Sequence, residues 1–126
     1  MRIHKRKDVP NVKKPEGTSV YYYLFPEYEI HYNEQSSKTT QTWHHHETVW
    51  ESLYIIEGEL LVKWNEEGKV REQVVSEGDL IETERSPHTF INNSEKVAKF
   101  LVLKQVLSGV DKKDLLKNDK VVDEVG

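Results

Sequence analysis

From residue 18 onward, apolar and polar positions alternate in short runs separated by turn-forming residues. Thr18–Phe25 reads Thr-Ser-Val-Tyr-Tyr-Tyr-Leu-Phe, dense in β-formers. Pro26 breaks the run and marks an edge or a turn. Glu27–Asn33 alternates strictly, with Tyr28, Ile30 and Tyr32 on one face and Glu29 and His31 on the other, which predicts a half-buried strand. Further strands are predicted at Thr39–His46, Glu51–Glu57, Glu59–Asn65, Lys69–Val75, Leu80–Glu82, Thr89–Asn92 and Val97–Val106, the last being the most apolar. Polar or glycine-bearing turns divide them at Glu34–Lys38, Asn65–Gly68, Ser76–Asp79 and Asn93–Lys96. Gly58 can take a positive φ between two of the strands. About nine short strands with a turn every 8–12 residues is the pattern of a β-sandwich or barrel.

The two ends read differently. Residues 1–17 carry Pro10, Pro15, Gly17 and many lysines, and predict an extended arm or edge segment. Asp111 begins the one helical pattern, with Asp114 at capping-box spacing and Leu115, Leu116 and Val121 as its apolar positions. Such a helix would pack on the outside of the barrel or on a partner subunit. The expected partition is an arm over 1–17, a β domain over 18–106 and a helical tail over 107–126. A chain of 126 residues has room for one domain only.

Composition narrows the function classes. Hydrophobic residues make up 36% and charged residues 32%, polar for a globular domain, as expected where half of each strand faces water. A formal net charge of −4 argues against general nucleic-acid binding, and the basic run Arg2–Lys7 reads as a solvated arm. With no cysteine there is neither a disulfide framework nor thiolate chemistry, which suits the cytosol. No apolar run approaches the roughly 18 residues of a membrane span, and the N-terminus lacks an apolar leader. A soluble, cytoplasmic protein without a membrane partner is expected.

The candidate chemistry lies in Trp43-His44-His45-His46-Glu47 and the run from Thr48 to Gly58. Neutral imidazole is the commonest protein ligand for divalent metals. On an extended chain His44 and His46 share a face and His45 points away, so His45 reads as a surface residue or as one that supports the ligands from behind. Glu51 has the opposite parity, so it joins the pair only if the chain bends or bulges between 47 and 50, or if two strands meet there. His88 in Ser86-Pro87-His88-Thr89-Phe90 is the remaining good ligand candidate; His4 and His31 read as surface residues. Two or three histidines with one carboxylate is a recurring arrangement for catalytic first-row metals. Arg85, with Glu82 and Glu84, falls near the expected mouth, either as a solvated loop or with Arg85 anchoring a substrate carboxylate. Asn92 shares a strand face with His88 and Phe90 and can bond near the site or close a turn. Trp43, Trp50, Tyr54, Trp64 and Phe90 read mainly as core, with Phe90 and one tryptophan available to line a pocket.

The spacing His44-x-His46-x4-Glu51-x6-Gly58 resembles the first motif of the cupin superfamily, and Gly78-Asp79 followed by Pro87-His88-x3-Asn92 resembles the second. The motifs span 44–92, and the strand pattern extends the likeness to about 20–106. Two positions depart: Lys38 stands where a glycine usually opens the first motif, and Glu82–Ser86 replaces the usual Pro-x-Gly, with the Gly78-to-His88 interval one residue short. The resemblance implies an all-β fold, a single jelly-roll barrel (double-stranded β-helix). It implies one divalent transition metal (Fe, Mn, Ni, Zn or Cu) on His44, His46, Glu51 and His88. It favours Glu51 over Glu47 as the carboxylate, through the interval to Gly58. The first functional reading is a metal-dependent enzyme of the dioxygenase, isomerase or lyase type acting on a small organic molecule, with Glu51 as a base. The second is a non-catalytic small-ligand-binding or sensor module with a structural metal. The third is a metal-free, epimerase-like cupin, which the full ligand set opposes. A homodimer is expected, paired through the arm or the Tyr21–Tyr23 strand.

Overall fold

The computed structural model describes residues 1–106; the helix expected from Asp111 lies outside the described residues. A 3-10 turn, Arg6–Asp8, precedes ten strands: β1 (Asn11–Lys13), β2 (Thr18–Leu24), β3 (Tyr28–Gln35), β4 (Thr39–Thr40), β5 (Val49–Glu57), β6 (Glu59–Glu66), β7 (Lys69–Ser76), β8 (Leu80–Glu82), β9 (His88–Asn92) and β10 (Ala98–Val106). They form a six-stranded sheet in the order β1-β2-β3-β10-β5-β8 and a four-stranded sheet in the order β4-β9-β6-β7. Every pairing is antiparallel. The N-terminal arm is thus an edge strand. Arg6 lies over the rings of Tyr21 and Tyr32, at 5.5 and 5.3 Å from their centroids, and pairs with Glu34 at 3.8 Å.

The two sheets enclose a core of Leu53, Ile55, Leu60, Val62, Phe90 and Phe100, with smaller residues around them. The core fills one end of the barrel only. Along β5 and β10 the inward positions run from Ile55 and Phe100, through Leu53 and Val102, to Glu51 and Lys104. Strand β3 turns its polar face inward: His31, Asn33 and Gln35 are buried, whereas Tyr28, Ile30 and Tyr32 face outward. His31 is therefore not the surface residue expected; it is only 7% exposed. A buried polar row costs free energy unless its groups are bonded. Gln35 meets this condition, donating to the Thr39 and Phe90 carbonyls at 3.2 and 3.0 Å and accepting from Gln41 at 3.1 Å. These bonds stitch the two sheets together at the closed end.

The expected aromatic core is only partly realised. Phe90 is buried and Trp64 packs against the core, but Trp43 and Tyr54 are largely exposed. Period-two alternation assigns residues to two faces without saying which face is inside. Gly58 is required where it stands. Its φ is +84°, and a Cβ there would lie 3.1 Å from the Val97 carbonyl oxygen and 3.2 Å from the Ala98 Cα. Gly68 has a similar φ, +79°, but open space around it. Gly58→Ala is expected to destabilise the protein by about 1–3 kcal/mol from backbone strain plus a crowding cost, and Gly68→Ala by the strain alone. Equal losses in urea denaturation would show that the approach of β10 to Gly58 carries no weight.

Candidate metal centre

The site forms at the open end of the barrel, where the chain after β4 runs beside β9. Thr39 and Thr40 pair with Asn92 and Ile91, and the Gln41 N–H donates to the Phe90 carbonyl at 3.0 Å. The next close pair is His44 with His88, whose backbones exchange hydrogen bonds of 3.1 and 2.9 Å. Between these pairings the first segment carries one extra residue, a local bulge that breaks the strand expected over Thr39–His46. The chain then bends at Glu47–Thr48 before entering β5. This is the bend that the opposite parities of His46 and Glu51 require.

The bridge sets the imidazoles side by side, with the rings of His44 and His88 4.5 Å apart and those of His44 and His46 5.4 Å apart. His44 Nδ1 lies 2.8 Å from the Thr42 carbonyl and His88 Nδ1 lies 2.7 Å from the Ser86 carbonyl. A carbonyl only accepts, so both rings carry their proton on Nδ1 and, when neutral, present the Nε2 lone pair to the site. Second contacts of this kind orient histidine ligands in metal proteins.

Glu51 is the focus of these groups. Its carboxylate is 5% exposed, with His46 Nε2 at 3.2 Å, His88 Nε2 at 3.4 Å and Lys104 Nζ at 3.7 Å. Burial alone would raise its carboxyl pKa, but the contact with His88 and the charges of Lys104, His46 and His88 leave it lowered. His46 is held below its ordinary 6.5, chiefly by burial and against the pull of Glu51. The Nε2 atoms of His46 and His88 are buried and lack a hydrogen-bond partner despite their closeness to the carboxylate. His88, with its proton held on Nδ1, turns an acceptor toward an acceptor, an arrangement that needs a proton or a cation between them. The donor atoms of His44, His46 and Glu51 lie within 4.8 Å of one another, and His88 joins them through Glu51. This set of imidazoles and a carboxylate fits a divalent transition metal.

The other expected site residues separate. Phe90 is buried, stands 5.0 Å from the His88 ring and lines the cavities on both sides of it. Asn92 is wholly buried at the far end of β9, where it donates to the Gln35 and Lys96 carbonyls at 3.0 and 2.8 Å and accepts from the Ser94 N–H and hydroxyl. It closes a turn and bonds away from the histidine–carboxylate cluster. Arg85 is exposed, with its guanidinium 5.7 Å from the Trp50 ring centroid. It lies in the shortened loop before His88, where Glu84 and Arg85 both adopt positive φ, at 49° and 61°. Thr83 pins this loop to Glu51, its N–H and hydroxyl each donating to the Glu51 carbonyl at 3.1 Å. His45 and Glu47 are exposed and 3.5 Å apart, away from the cluster.

Two residues without a role in the sequence pattern belong here. His31 donates through Nε2 to the Glu29 carboxylate at 2.9 Å, and its ring meets Tyr22 at 4.6 Å. With His44, Glu51 and Lys104 it lines a small inner cavity of about 60 Å³. Lys104 shares the inward parity of Phe100 and Val102 on β10.

A jelly-roll barrel with a histidine–carboxylate cluster at its open end defines the class of protein. The chain belongs to the cupin family: the Cupin domain model matches residues 28–104. No curated protein matches it. Among solved structures, a predicted oxalate decarboxylase from Thermotoga maritima is similar, with 17% identity, a TM-score of 0.72, and coverage of 84% of this chain and 100% of that one. The polyketide cyclase RemF from Streptomyces resistomycificus is 23% identical, with a TM-score of 0.67 over 83% of this chain and 79% of its own. Fe(II)-HppE with an alternative substrate is 17% identical, with a TM-score of 0.66 over 82% of this chain and 59% of its own. At these identities the likeness is one of fold.

His31 and His46 both have pKa values lowered from 6.5, primarily by burial. A group depressed in the folded state stabilises fully above its unfolded value and loses that contribution as pH falls through its folded value. The metal-free protein is therefore expected to lose stability as pH drops below about 6.5, and Glu51 adds a further loss in the carboxylate range. His31→Gln should flatten the decline between about pH 6.5 and 5 in denaturant titrations. An unchanged slope would mean that His31 binds its proton equally well in the folded and unfolded states.

Proposed function

We propose that this chain is a metal-dependent enzyme acting on a small organic molecule at the open end of the barrel. The observation that carries the reading is the convergence of unpaired His46 and His88 Nε2 atoms on the buried Glu51 carboxylate. His44, His46, Glu51 and His88 would hold the metal. Bound there, a divalent transition metal supplies Lewis-acid polarisation or oxygen activation. The four ligands do not choose among Fe, Mn, Ni, Zn and Cu; the iron(II) of HppE makes iron the first to test.

The residues of the chain supply the rest. The Thr42 and Ser86 carbonyls hold the His44 and His88 rings in the ligating tautomer. Phe90 and Trp64 form an apolar wall behind His88, in a cavity of about 400 Å³. Such a wall excludes water and strengthens the charges it encloses. Glu51 is kept ionised and can accept a substrate proton at Oε2, the oxygen nearer His46 and Lys104. A metal that takes more than four ligands would keep room for substrate beside these four, whereas four-coordinate zinc would be closed by them.

About one metal per chain is expected in untagged protein, lost in His44→Ala, Glu51→Ala and His88→Ala and kept in His45→Ala. At a hundredfold excess over Kd, the metal should raise unfolding stability by about 2.7 kcal/mol. Protein that takes up no Fe, Mn, Ni, Cu or Zn, or Glu51→Ala that retains metal fully, would end the reading.

A homodimer is the expected assembly, and the outward face of the six-stranded sheet supports it. Register places Leu80, Tyr54, Leu101 and Tyr32 in one row across β8, β5, β10 and β3, and Leu80, Tyr54 and Leu101 are exposed. Light scattering at micromolar concentration should give twice the 14.8 kDa chain mass, reduced by Leu101→Glu. A sharp monomer mass for the unaltered protein would exclude the dimer.

A further inference from the structure

Three neighbouring inward positions of the six-stranded sheet carry ionisable groups, next to Leu24 on β2. Glu29 on β3, Lys104 on β10 and Glu51 on β5 are direct neighbours across adjacent strands. Lys104 occupies an inward position in the sequence Ala98, Phe100, Val102, Lys104, where the preceding three residues are all apolar core. Its side chain is 27% exposed and its Nζ lies 3.7 Å from Glu51 Oε2. Glu29 is not its close partner, because that carboxylate is 2.9 Å from His31 Nε2.

Lys104 also stands where two spaces meet. It lines the inner cavity with His44 and Glu51, and it lines an outer groove of about 310 Å³ together with His46, Phe25, Tyr28 and Val49. A ligand in that groove would lie beside both the ammonium and the His46 imidazole. Packing does not call for a charge at this position, since an unbranched apolar side chain would cover the same surface. A cation held beside three imidazoles and their carboxylate weakens metal binding by repulsion and by competing for Glu51. Glu51 offsets that charge in the protein alone; a metal drawing on the same carboxylate would leave the ammonium available to an anionic ligand.

We propose that Lys104 is the ligand-recognition residue of this site and that it selects a small organic carboxylate. The carboxylate accepts a charge-assisted hydrogen bond from Nζ, and the carbon skeleton lies along Phe25, Tyr28 and Val49 in the groove. The assignment deepens the metal-dependent reading and rests on it for the reaction, but the anion preference itself is a property of Lys104. It also moves the anion-binding role away from Arg85, which is exposed and lies 5.7 Å from the Trp50 ring centroid.

The test compares unaltered protein, Lys104→Met and Lys104→Arg. Co(II) affinity is measured by calorimetry, and the visible Co(II) spectrum then follows titration with glycolate and with its neutral amide, glycolamide. Lys104→Met is expected to bind Co(II) several-fold more tightly, to bind glycolate about tenfold more weakly, and to leave glycolamide unchanged. Lys104→Arg should keep the preference for glycolate. Weakened Co(II) binding in Lys104→Met, equal losses for glycolate and glycolamide, or no change in glycolate affinity would overturn the proposal. If the unaltered protein takes no Co(II), the metal reading fails, and glycolate is titrated into metal-free protein by NMR. Shifts lost in Lys104→Met and kept in Lys104→Arg would still uphold Lys104 as the anion site; absent or unaltered shifts would overturn it as well.

Discussion

A single buried carboxylate governs the open end of this barrel. Glu51 sits almost wholly out of water, and an isolated charge in that position would be strongly unfavourable. The Lys104 ammonium at 3.7 Å offsets its charge, and His46 and His88 stand within 3.4 Å of the carboxylate. The arrangement remains unbalanced without a cation, because the fixed tautomer of His88 turns a lone pair toward the carboxylate. The fold therefore stores an unmet electrostatic demand at this point. Of the buried polar groups elsewhere, Gln35 and Asn92 have their amide groups fully engaged, whereas the Thr18 hydroxyl and the Asn33 carbonyl oxygen lack partners.

That contrast divides the barrel into two functional halves. The closed end is held by Ile55, Leu60, Phe100 and the Gln35 stitch, and it supplies rigidity. The open end gives up apolar burial on β3 and β10 to bring His31 and Lys104 inward. Polar groups at the mouth of a rigid apolar shell are what a small-molecule site requires. The strained positive φ angles of Glu84 and Arg85 fall in the loop that presents His88, where backbone strain is commonly concentrated.

Much of this was legible from residue order, and the failures have a common cause. The interval from His44 through His46 and Glu51 to Gly58 pointed to the cluster, and the parity clash between His46 and Glu51 required the bend found at Glu47–Thr48. The positive φ of Gly58 followed from its place between two strands. Alternation did not reveal that Glu29, His31, Asn33 and Gln35 form the inward face of β3, because a period of two is symmetric between faces and Tyr28, Ile30 and Tyr32 made the other face look like core. The missed signal in β10 was available: Lys104 shares parity with Phe100 and Val102 and so had to point inward with them. Arg85 drew attention through its place in the loop, but nothing local to the sequence shows a guanidinium turning onto Trp50.

Glu51 and the three imidazoles are held to bind one metal together, and the reaction proposed for the open end depends on that. X-ray absorption of the Zn-loaded protein reads the first coordination sphere without reference to any reaction. Three imidazole nitrogens at about 2.0–2.1 Å with carboxylate oxygen at a similar distance is the expected spectrum. A sphere of oxygen atoms only, without imidazole scattering, would place the metal elsewhere and contradict the role given to His44, His46 and His88.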